Sequence, residues 1–158
     1  MITPSHPWKQ SLLRQAEVLQ ELRKPHRWGE ASSARLEETV VLGCYAVRRL
    51  VCGFLLSDAL VHRLMPMTAF PARRKSGLLL GDEPLQDLYD LQVGKAVAHD
   101  LLFLCHQVIQ NCIFVPQFDE GHALQGIYVT SDHQHKVALY RINVDAVGAL
   151  FTSIGSEH

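Results

Sequence analysis

The chain contains no C-x-x-C pair; its four cysteines, Cys44, Cys52, Cys105 and Cys112, stand singly inside apolar patterns. That excludes zinc-finger spacing and a thioredoxin-like redox motif, and it points to reduced thiols in a cytoplasmic setting. There is no G-x-x-x-x-G-K-[ST], no G-x-G-x-x-G, no G-x-S-x-G and no H-E-x-x-H, so phosphate cradles, the nucleophile elbow and zincin chemistry have no signature here. Charge of one sign is also missing. With 15 Lys and Arg against 16 Asp and Glu, the formal net charge is −1, and no global field draws the chain toward nucleic acid or an acidic membrane. Apolar runs break well short of the roughly 20 residues that a membrane helix needs, so no membrane partner is expected. The opening residues, Met1 to Trp8, lack the apolar stretch of a signal peptide.

What is present is ordinary globular composition, with 47% hydrophobic and 20% charged residues in 158, enough for a single domain over 1–158 that buries its own core. Nine histidines are many for this length; protonating all of them would carry the net charge from −1 to +8. Self-association or solubility is therefore expected to change between about pH 7 and pH 5.5.

The apolar periodicity predicts an α+β fold. An N-terminal bundle of three to four helices is expected over about 7–112, followed by a small antiparallel three-stranded meander and a C-terminal helix over about 112–155. The first helix runs from Pro7 to Arg23, with Leu12, Ala16, Leu19 and Leu22 on one stripe. Trp28 then lies as a lid over the core edge. The second helix spans about 33–56, with Leu36, Val40, Gly43, Val47, Leu50, Val51 and Phe54 on one face. Two mid-helix glycines, Gly43 and Gly53, imply that another backbone approaches closely. Residues 65–84 carry Pro66, Pro71, Pro84, Gly77 and Gly81, which argues against any long element, although Gly77 to Gly81 could form one short strand. Leu85, Leu88 and Tyr89 suit a helical turn. The last three strands are read from 112–118, 122–131 and 136–143, with Pro116 demoting the first to an edge, and Asn143 or Asp145 capping the final helix.

The densest stretch is AHDLLFLCHQVIQNCIF, 98–114, read as part of a helix over 94–111. On that helix His99 and His106 align at the border of the polar face, while Cys105 and Cys112 point inward. Seven residues separate the histidine Cα atoms by about 10.5 Å, too far for a two-histidine metal site on one helix. The hairpin histidines His133 and His135 lie about 30 Å from His122 along the strand. No metal and no cofactor is therefore expected. A helical bundle with a polar, His-bearing late helix is similar to that of the HEPN ribonucleases, whose catalytic motif is Arg followed after four to six residues by His. No Arg here is followed by His at that spacing, and His106-Gln-Val-Ile-Gln-Asn111 has the length with other residues, so no activity is carried over.

Two functional readings remain. The first is a non-enzymatic cytoplasmic interaction or regulatory domain that self-associates, from the apolar and aromatic residues Val41 and Tyr45 among charged positions of the second helix and from the edge strand with Ile113, Phe114 and Phe118. The second is an RNA-binding or RNA-cleaving toxin-type module. Its catalytic candidates are His99, His106 and Asn111, and its binding candidates are Gln110, Arg48, Arg49, Arg73 and Arg74. A small-ligand pocket walled by Tyr89, Tyr128 or Tyr140 ranks below both.

Overall fold

The computed structural model describes residues 4–73 and 83–158. Its elements run α1 (His6–Arg23), α2 (Glu30–Cys52), α3 (Asp58–Val61), β1 (Met65–Pro71), α4 (Leu85–Leu88), β2 (Lys95–His99), α5 (Leu101–Ile109), β3 (Asn111–Phe118), β4 (Leu124–Ser131), β5 (Ala138–Asn143) and α6 (Val144–Gly155). The five strands form one antiparallel sheet in the order β2-β1-β5-β4-β3.

The expected meander β3-β4-β5 is there, but it is part of a five-stranded sheet. The two further strands fall inside the expected bundle. β1 was hidden by its prolines. Pro66 lies where only β2 pairs with β1, and Pro71 where only β5 does. Pro66 has a strand neighbour on one side alone; Pro71 lies between β5 and the 89–90 segment, which donates the Asp90 N–H to its carbonyl and asks no N–H of it. β2 (Lys-Ala-Val-Ala-His) has little strand propensity of its own and falls within the helix expected over 94–111. Asp100 separates it from α5 by accepting a hydrogen bond from the Phe103 N–H at 2.8 Å, an N-cap that ends one element and starts the next. The helical architecture shared with the HEPN enzymes is consequently absent, since strands occupy 65–71 and 95–99. The expected strand between Gly77 and Gly81 lies outside the described residues.

Alternation along the strands sorts the side chains. Met65, Met67, Ile127, Val129, Tyr140 and Ile142 join Leu12, Leu19, Leu36, Val40, Val47, Leu50, Leu104, Val108 and Phe151 in one core, so α1, α2, α5 and α6 all cover the same sheet face. Burying each such side chain is worth about 1.5–3 kcal/mol. On the other face Phe70 and Leu139 pack with Tyr89, which the 85–91 segment lays across the strands. Burial raises the Tyr89 phenol well above its usual range, so it stays a neutral donor to the His135 carbonyl at 2.7 Å. Tyr140, raised the same way by burial, donates to Gln134 Oε1 at 3.1 Å. Both hydroxyls therefore serve the β4–β5 turn.

Neither Gly43 nor Gly53 meets the expectation of a mid-helix glycine beside another backbone. Gly53 is the C-cap of α2, not a mid-helix residue. Gly43 is mid-helix and buried, but the group that comes close is the Phe151 ring of α6, which occupies the space where a Cβ would sit. Val144, Val147, Leu150 and Ile154 line up with Phe151 beneath α1 and α2, and Asn143 caps α6 by accepting from the Asp145 N–H at 2.9 Å.

Gly43→Ala is accordingly expected to lose about 1–3 kcal/mol in urea denaturation despite the better helix propensity of alanine. Gly43→Ala with Phe151→Leu should recover part of that loss. A Gly43→Ala chain as stable as the parent would show that the ring is not seated there.

Candidate functional site

The outer side of α2 is one of the places where the structure leaves apolar side chains exposed, and there they stand with aromatic rings and arginines. Its inner stripe, Leu36, Thr39, Val40, Gly43, Cys44, Ala46, Val47 and Leu50, is buried. The residues between these positions should be polar on a surface helix. Instead Leu42 is 44% exposed and Tyr45 40% exposed, with Cys52 also open. α1 adds Trp8, whose ring meets that of Tyr45 edge-on at 5.7 Å. Arg49 lies over the Trp8 ring at 5.4 Å and Arg48 over the Tyr45 ring at 5.6 Å. Such cation–π contacts hold guanidinium groups on an aromatic base, each worth about 0.5–1 kcal/mol when exposed. Arg48 and Arg49 are thus preorganised, which a free lysine or arginine on a helix would not be.

The helix ends in a strained cap. Phe54 has φ 57°, the left-handed conformation that glycine normally fills. Its N–H bonds the Val51 carbonyl and the Leu55 N–H bonds the Leu50 carbonyl, closing the end of α2. The periodicity expects Phe54 on the buried face, but α2 ends at Cys52 and the positive φ turns the residue out, leaving it 92% exposed, so burial does not compensate the backbone. An exposed phenylalanine in a glycine conformation fits a contact surface better than a folding role.

The histidine-rich segment is arranged differently from the expected helix edge. His99 is on β2, stacked on Phe103 at 3.6 Å and edge-on to Tyr140 at 5.8 Å. His106 is on α5, with its ring 5.4 Å from that of His133. The two therefore contact different neighbours and do not share a helix. Asn111 opens β3 and donates to the Val108 carbonyl at 2.8 Å, with Glu37 of α2 at 3.5 Å. Gln110 caps α5, and its carbonyl accepts from the Asp132 N–H at 3.2 Å. Arg73 donates to the carbonyls of Gln86 (2.9 Å) and Tyr89 (3.3 Å) and pairs with Asp90, holding the segment over the far sheet face. Arg74 lies outside the described residues.

Cys105 points inward as expected and sits against Cys44; their mutual hydrogen bond, then burial, raises the Cys44 thiol well above the usual range. Cys112 does not point inward. It is an exposed residue of β3, its thiol donating to the Thr130 carbonyl at 3.6 Å. Gln107 is the residue that sequence reading missed. It is buried, and its Oε1 accepts from the Ser131 N–H at 2.9 Å, tying α5 to the β4–β5 turn. A polar residue on the inward stripe of an apolar helix was the available signal.

No family model, no curated protein and no solved structure matches this chain.

Phe54→Gly is expected to raise the stability of the isolated chain by about 1 kcal/mol, because glycine adopts this φ without the penalty of a Cβ. Thermal or urea melts at low protein concentration measure it. A destabilised Phe54→Gly chain would mean that the ring is packed in the fold.

Proposed function

We propose that this chain is a non-enzymatic interaction or regulatory domain that self-associates through the outer stripe of α2. The observation that carries the reading is the surface Leu42, Tyr45, Arg48 and Arg49, extended by Trp8. Trp, Tyr and Arg are the residues that dominate binding energy at protein interfaces, and here they cluster on one face.

The partner most consistent with the pattern is a second copy. Glu38, Leu42, Tyr45 and Arg49 lie within about 60° of one another around α2. The pairs Glu38 with Arg49 and Leu42 with Tyr45 share one midpoint, between Gly43 and Cys44. A second α2 laid antiparallel across a two-fold axis at that midpoint sets Glu38 beside Arg49 and Leu42 beside Tyr45, each twice. Among the described residues Glu38 has no ion-pair partner within its own chain. The sheet edges compete poorly: β3 carries Pro116 and two register shifts, and β2 is five residues long.

No helix among the described residues is long and apolar enough to cross a membrane. Cys44 and Cys105 sit together as buried residues of the core, a use of cysteine as a small hydrophobe that suits the cytoplasm. The second reading, an RNA-binding or RNA-cleaving module, keeps some support from the same arginine–aromatic surface, which resembles the stacking platforms that bind single strands. It has lost the helix edge on which His99 and His106 were to act together.

Sedimentation equilibrium is expected to give a monomer–dimer mass that rises with concentration. Arg49→Glu should weaken the dimer at least about tenfold by setting like charges together, and Glu38→Arg with Arg49→Glu should restore it. Tyr45→Glu should leave a folded monomer. A parent chain that stays monomeric, or a double exchange that fails to rescue, contradicts the proposal; salt-dependent binding of a single-stranded oligonucleotide by that monomer would favour the second reading.

A further inference from the structure

We propose that His106, Asp132 and His133 form a binding site for a divalent transition cation of the zinc class. The three residues come from two elements. His106 stands on α5, half-buried, and Asp132 and His133 begin the turn between β4 and β5, both exposed. One ligand atom from each, two imidazole nitrogens and a carboxylate oxygen, lies within 4.8 Å of the others. Two neutral imidazoles with one carboxylate are a donor set that zinc takes in sites with an open position. Zinc bonds of about 2.0–2.2 Å require ligand atoms roughly 3.4 Å apart, so the three must close by an ångström or so. Asp132 and His133 can supply that by side-chain rotation, because both are on the surface.

The framework behind the ligands is fixed without a metal. Ser131 N–H donates to the buried Oε1 of Gln107, one residue after His106, and Asp132 N–H donates to the Gln110 carbonyl. Gln134 N–H donates to Ser131 Oγ at 3.2 Å, and His135 N–H to the Ser131 carbonyl at 2.8 Å. The backbone of the turn is thus docked on α5, and ion binding would not have to order it. Among the described residues the rings of His106 and His133 have no hydrogen-bond partner, which leaves their nitrogens available. Juxtaposing two unbonded imidazoles and a carboxylate adds nothing that the turn needs for folding, whereas a shared cation would use all three. With three protein ligands, at least one coordination position stays with water or with a group from a partner.

The sequence hid this arrangement because His106 and His133 are separated by a strand pair. The spacing His99 to His106, which the sequence offered, is not the one the fold uses.

The test is titration of the full chain, without an affinity tag, with zinc and with cobalt(II), followed by calorimetry and by cobalt ligand-field absorption. One equivalent per chain is expected, with a rise in melting temperature as the ion fastens the turn to α5. His133→Ala and Asp132→Asn, both at exposed turn positions, should each weaken binding by at least about 100-fold, beyond the usual effect of an outer-shell change, and should abolish the thermal shift. His122→Ala, in the other hairpin, should change neither. His106→Ala is read only if its circular dichroism matches the parent. Absence of a stoichiometric ion, or binding that survives His133→Ala and Asp132→Asn unchanged, overturns the proposal and assigns any residual affinity to scattered surface histidines.

Discussion

The seat of the Phe151 ring on Gly43 fixes how α2 lies, and most of the molecule follows from it. α2 is packed against α1, α5 and α6 at once, and those helices cover one face of the sheet. A helix held on three sides buries a wide stripe, here from Leu36 to Leu50. Rotating α2 to bury Tyr45 or Leu42 would lift Gly43 from the ring and open the core, at a cost comparable to a large core deletion, about 2–5 kcal/mol. The outer stripe is therefore committed to the surface by packing on the other side. Trp8 and Tyr45 brace α1 against α2 at its border, while Leu42 stays exposed.

A second constraint holds the other end of the structure. Gln107 is a polar side chain on the buried stripe of α5, and its acceptor is matched to the Ser131 N–H. Leaving either group unpaired would cost about 1–3 kcal/mol, so the hydrogen bond fixes helix and turn together. The far sheet face reinforces this turn through the Tyr89 hydroxyl, and the near face through that of Tyr140. The proposed cation ligands stand on this docked turn and the proposed self-association surface on α2, so each can be disrupted while the other is left intact.

Regular periodicity made much of the fold legible. The stripe Leu12, Ala16, Leu19, Leu22 gave α1, and Leu36 to Leu50 gave the buried side of α2, because a 3.6-residue repeat needs no tertiary information. The final meander and the Asn143 cap were readable for the same reason. β1 and β2 were not, because their strand character comes from their neighbours: prolines at singly paired positions and an alanine-rich edge carry no strand signal alone. Asp100, which caps α5, lies inside the stretch that periodicity joins into one helix. At the site level, Arg48, Arg49 and Tyr45 were named from sequence and lie together on one helix. Trp8 was not, since a contact between α1 and α2 is a property of the folded chain, and Phe54 is expected on the buried face because periodicity does not reveal the positive φ that turns it outward. The pairing of His106 with His133 likewise depends on the docking of the turn.

The most direct test of the antiparallel α2 pair is a distance. Cys52 and Cys112 are the exposed thiols among the four, so a Cys112→Ser chain presents Cys52 alone for a nitroxide label. Helical rise and ordinary interaxial separation place Cys52 about 25–30 Å from its counterpart across the two-fold axis. Pulsed dipolar spectroscopy of the labelled protein is expected to return a single distribution in that range, which Tyr45→Glu removes. A distance near 10 Å, or no dipolar signal at concentrations where the chain should pair, would contradict the account.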